Sequence, residues 1–110
     1  MLWLGEGAPT EILGPVVIGR SPSAEAVPGA PPERTRLVTV SDPERIVSRS
    51  HLVIEPVGEA LRLRNVSSRN PVKVVGIDGG VALVAGERPF EVRTTSRAVI
   101  GAVIVDLIVD

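Results

Sequence analysis

Residues 60–65 read Ala60-Leu61-Arg62-Leu63-Arg64-Asn65, and this alternation decides the fold class. Successive side chains of an extended chain point to opposite sides, so Leu61 and Leu63 can face a core while Arg62 and Arg64 face water. Similar short runs lie on both sides of it. His51 to Glu55 precedes it and leads into a Pro56–Gly58 turn. Val72 to Val75 and Val81 to Val84 follow, with Asp78-Gly79-Gly80 between them as a hairpin turn. Upstream, Ile12–Leu13 and Pro15–Gly19 flank Gly14, and Leu37 to Val40 runs into the turn formers Ser41, Asp42 and Pro43. Phe90 to Thr94 and Ala98 to Val109 complete the series. About ten to eleven short strands without a credible helix predict an all-β sandwich.

The composition agrees. The 110 residues include 19 Val and 8 Ile, whose branched side chains suit a pleated, half-buried surface. Eleven Gly and ten Pro supply turns and interrupt any long helix. The length is that of a single domain spanning residues 1–110, with room for a modest core. The absence of cysteine excludes disulfides and thiolate metal sites. The first residues lack a basic stretch followed by an apolar run, so no signal peptide is expected. No apolar run reaches the roughly 18 residues of a membrane span. These features predict a soluble, cytoplasmic protein without membrane insertion. The abrupt start in strand pattern suits a domain excised from a larger protein.

Two segments stand apart. Residues 21–36 carry Pro22, Pro28, Pro31 and Pro32 among small residues and show no periodicity. They are expected to form a long, mobile surface loop, because strand pattern resumes on both sides. The run from Ala98 to Val109 is too apolar for a solvated edge. It is expected to be a strand buried on both faces or covered by a neighbour, with Gly101 as a bulge.

A net charge of −1 gives no reason to expect nucleic-acid binding. The distribution is uneven, however. From Arg20 to Lys73 the chain has nine basic and six acidic residues, whereas the remainder has three and seven. The middle of the chain is thus locally cationic, as an anion site would require. Three short signatures lie in or beside this region, each at a strand end. They are Gly19-Arg20, Ser48-Arg49-Ser50-His51, and Ser67-Ser68-Arg69-Asn70.

Their order and spacing resemble the forkhead-associated (FHA) family, whose consensus runs Gly-Arg, then Ser-x-x-His, then Ser-x-Asn-Gly. The resemblance spans about Ile12 to Val109 and implies an FHA-like (SMAD/FHA) β-sandwich that binds phosphothreonine peptides through loops at one end. A phosphate carries about −1.5 to −2 charge and three acceptor oxygens, so its site needs a fixed cation and hydroxyl or backbone donors. By the resemblance, Arg20 is the phosphate-binding arginine, Ser48 the phosphate-contacting serine, and Arg69 a further contact. Asn70 would bond the peptide backbone. Arg49 is placed by sequence to add charge. Gly19 and His51 would support the site structurally, the glycine lying against the histidine, and Ser68 would act as a turn former. The implied partner is a phosphothreonine protein or a substrate of a Ser/Thr kinase. No cofactor or metal is implied.

The pattern departs from the family after Asn70. Pro71-Val72 replaces Gly-Thr, and proline biases the preceding residue toward extended geometry. A phosphate-independent scaffold of FHA type is therefore the alternative expectation, with the Ala98–Val109 run as its packing surface. Catalysis is not expected. A Ser48–His51–Asp42 triad lacks an oxyanion-hole turn, and an extended segment would splay Ser48 and His51 apart.

Overall fold

The computed structural model describes residues 2–4 (backbone only), 11–41, 44–67, 69–86 and 88–109. Among these residues, ten strands form two five-stranded sheets, and no helix is long and apolar enough to cross a membrane. In chain order the strands are β1 (Leu2–Leu4), β2 (Val16–Gly19), β3 (Arg36–Thr39), β4 (Leu52–Val57), β5 (Ala60–Asn65), β6 (Val72–Gly76), β7 (Val81–Val84), β8 (Phe90–Val92), β9 (Ser96–Ile100) and β10 (Val103–Leu107). One sheet runs β1-β10-β9-β6-β7 and the other β3-β2-β4-β5-β8.

The two sheets bury their facing sides against each other. Ile18, Leu52, Ile54 and Leu63 of one sheet share a fully or almost fully buried cluster with Val72, Ala98, Ile100, Val105 and Leu107 of the other. Each such side chain stabilises the fold by about 1.5–3 kcal/mol relative to exposure. In β5 the expected alternation holds, with Leu61 and Leu63 buried and Arg62 and Arg64 half-exposed. By contrast β2 and the start of β4 read as unbroken apolar runs. Their outward residues Val17 and Val53 are also buried, under Val27, Ala26 and Ala30.

That cover comes from the proline-rich segment. It contains short 3-10 turns at Ala24–Ala26 and Pro32–Arg34, and it connects β2 to β3. These two strands are parallel, pairing Val16 with Arg36 through Gly19 with Thr39. A parallel pair requires a crossover of a dozen or more residues, which accounts for a connection of this length. The segment is a crossover that also lays Val27 on the sheet. Its lack of periodicity in the sequence concealed both roles.

The closing apolar run differs from expectation. It is a hairpin, β9 against β10, and Gly101 is the first residue of its two-residue turn at φ +59°. Glycine suits that left-handed position. Pairing places β10 between β9 and β1, so β10 is interior to its sheet. The run is apolar because Ala98, Ile100, Val105 and Leu107 each face the core, which two strands supply from one stretch of chain. The strand β4 also continues through Pro56, and the turn falls at Gly58–Glu59. Pro56 is tolerated because β2 ends its pairing at Ile54, leaving β4 with one neighbour there.

Candidate functional site

The end of β2, the start of β4, the end of β5 and the start of β6 meet at one end of the sandwich. Antiparallel pairing requires this: Ile18 pairs with Leu52, and Leu52 with Asn65. The three sequence signatures are therefore brought together by strand register.

The 48–51 loop is anchored at both ends. Arg20 N–H donates to Ser48 O at 3.0 Å and Ser21 N–H to Arg49 O at 3.0 Å. Gly19 is required at this crossing, because a Cβ there would overlap the Arg49 carbonyl and crowd the Ser50 backbone. The space a side chain would need at Gly19 is thus filled by the Arg49 and Ser50 backbone, immediately before His51. Ser50 Oγ accepts from Ser23 N–H at 3.1 Å, tying the crossover to the same loop.

His51 is fully buried. Its ring folds back so that Ser48 N–H donates to Nδ1 at 3.0 Å. Nε2 lies 2.9 Å from Asn70 O. A carbonyl oxygen can only accept, so Nε2 carries the proton and Nδ1 the lone pair. The expected splaying of Ser48 and His51 does not occur, because β4 begins only at Leu52 and residues 48–51 form a loop. Both ring nitrogens face backbone groups of the two loops they join. Asp42 lies outside the described residues, as does Ser68.

Two side chains to which the resemblance assigned no role organise the neighbouring loop. Asn65 is buried at the end of β5. Its Nδ2 donates to Asn70 O at 3.0 Å and Val84 O at 2.9 Å, and its Oδ1 accepts from Ser67 N–H at 2.9 Å. The sequence did hold a signal: Asn65 continues the inward parity of Leu61 and Leu63, and a polar group at a core position needs partners. Ser67 is the second. Its Oγ lies 2.7 Å from Ser48 Oγ and accepts from Arg69 N–H at 3.2 Å. Ser67 thus acts as a turn former in this loop.

Asn70 uses its side-chain amide internally, donating from Nδ2 to Ile46 O at 2.9 Å. Its Oδ1 and the second Nδ2 proton are left to meet a ligand among the described contacts. Pro71 is exposed and immediately precedes β6, a position where a missing N–H breaks no ladder.

The cations of this end are exposed. Arg20 turns its Nε toward Val47 O at 3.4 Å, and Arg49 and Arg69 are exposed on the two neighbouring loops. Arg45, which the signatures also omit, is exposed in the left-handed region at φ +57°, an uncommon conformation for a residue with a side chain. None of these four arginines pairs with a carboxylate among the described residues, and Glu44 is the described acidic residue of their loop. Among the described residues, the ion-paired arginines are Arg62, Arg64, Arg93 and Arg97, on the strands or at their far ends. Arg97 is held further above its usual range by its hydrogen bond to Asp106 and by that carboxylate's charge.

The residues described include no cluster of three or more His, Asp or Glu side chains suited to a metal ion. No protein-family model matches the chain, and none of the curated proteins matches it.

Proposed function

We propose that the protein is a phosphothreonine-peptide-binding module of FHA type. The observation that carries this reading is the loop end of the sandwich. There, Ser48 is held by backbone bonds on both sides, and Arg20 next to it has no acidic partner among the described residues. A fixed hydroxyl beside an unneutralised guanidinium is what a phosphate dianion needs. Arg49 and Arg69 add positive charge at the same end, and Asn70 Oδ1 is available to a peptide N–H. The ligand would be a phosphorylated protein segment, such as a Ser/Thr-kinase substrate.

A second reading, a phosphate-independent scaffold, draws on a different surface. Val81 and Leu83 of β7 and Ile104 of β10 are 58%, 67% and 44% exposed on the outer face of their sheet. That face, rather than a single closing strand, is the apolar surface such a scaffold would use.

Isothermal titration with a degenerate phosphothreonine peptide pool and its unphosphorylated counterpart separates the two. The reader function predicts phosphate-dependent binding that weakens in Arg20→Ala by about 10- to 100-fold, the loss of roughly 1.5–3 kcal/mol for hydrogen bonds to a charged group. A folded wild type that treats both pools alike would leave the scaffold reading.

A further inference from the structure

Ser67 gives the proposed site a donor direction, an inference that rests on the phosphate-binding reading. A hydroxyl has one proton to donate and two lone pairs to accept with. At Ser67 two backbone N–H groups converge on Oγ, that of Arg69 at 3.2 Å and that of Asn70 at a longer 3.5 Å. Its lone pairs are therefore engaged from one side, and its remaining capacity is the proton. Among the described residues, its one other partner is Ser48 Oγ at 2.7 Å.

We infer that Ser67 is a positioning residue that donates to Ser48 Oγ and so leaves the Ser48 proton directed at an anionic ligand. Ser67 is 8% exposed, so it acts from behind Ser48. Its own orientation is set in turn by Asn65, whose Oδ1 holds the Ser67 N–H at 2.9 Å. Without Ser67, Ser48 Oγ could rotate its proton toward other acceptors and present a lone pair to the phosphate. The chain Asn65–Ser67–Ser48 thus ties the end of β5 to the polarity of the site. The run Arg69 N–H to Ser67 Oγ to Ser48 Oγ passes through a single hydroxyl, so its bonds also strengthen one another.

The test is a double-mutant cycle read with the same two peptide pools on wild type, Ser67→Ala, Ser48→Ala and the double variant, with Ser67→Thr as the hydroxyl-retaining control. Ser67→Ala should weaken binding of the phosphorylated pool about three- to tenfold, the range of one neutral hydrogen bond, and Ser67→Thr should stay within about twofold of wild type. In the Ser48→Ala background the Ser67→Ala effect should vanish, because no Ser48 proton remains to direct. An equal loss in both backgrounds, or an equal loss in the Ala and Thr variants, would overturn the inference and make Ser67 a loop-shaping residue. Binding that depends on phosphate and Arg20 but is indifferent to Ser67 would overturn the inference alone. Failure of wild type to prefer the phosphorylated pool would remove the functional reading beneath it.

Discussion

Replacing His51 by leucine removes the ring's hydrogen bonds while keeping an apolar side chain of comparable bulk in a fully buried position. Ser48 N–H then loses its acceptor, and leaving such a donor unpaired costs about 1–3 kcal/mol. Asn70 O loses the Nε2 proton but keeps the Asn65 Nδ2 bond at 3.0 Å, so its loss is nearer the net value of one bond, about 1 kcal/mol. The expected destabilisation is about 2–4 kcal/mol, a large share of the 5–15 kcal/mol typical of a domain, yet compatible with folding. Urea denaturation followed by circular dichroism checks this. With a slope of about 2 kcal/mol/M, the middle of the usual range, the midpoint should fall by roughly 1–2 M. A shift below about 0.3 M at unchanged slope would refute the bridging role of the ring. So would nitrogen-15 spectra of the wild-type imidazole showing the proton on Nδ1, since Ser48 N–H could not then donate there.

Gly19→Ala should destabilise the fold by about 1–3 kcal/mol, because the new methyl meets backbone that must move. Amide exchange at Arg20 and Ser21 should accelerate in that variant, since their bonds to Ser48 O and Arg49 O flank the overlap. Asn65→Ala removes three hydrogen bonds from a buried position. It should cost about 2–4 kcal/mol by urea melt and weaken phosphopeptide binding through the Ser67 loop.

Leu61 and Leu63 against Arg62 and Arg64 were legible as a strand because β5 has one dry and one wet face, which is the condition under which alternation survives in sequence. The same rule explains where legibility failed. In β2 and β4 the crossover covers the second face, so Val16-Val17-Ile18 and Leu52-Val53-Ile54 carry no alternation. At 98–109 two successive inward faces read as one long apolar strand until Gly101 turns the chain.

At the site, the sequence by itself determined the all-β class and the order of the Gly19-Arg20, Ser48–His51 and Ser67–Asn70 segments along the chain. Residue type and local spacing are properties of the chain alone. Only the tertiary structure decided that these segments share one end of the sandwich, since Ile18, Leu52 and Asn65 become neighbours through strand register. It also decided that Asn65 and Ser67 organise the loops, that Asn70 Nδ2 is turned inward to Ile46 O, and that Arg20 lies beside a backbone carbonyl without an acid partner among the described residues. Hydrogen-bond partners far apart in sequence, 19 residues between His51 and Asn70 and 24 between Ile46 and Asn70, leave no periodic trace, because they are selected by the packed sheets.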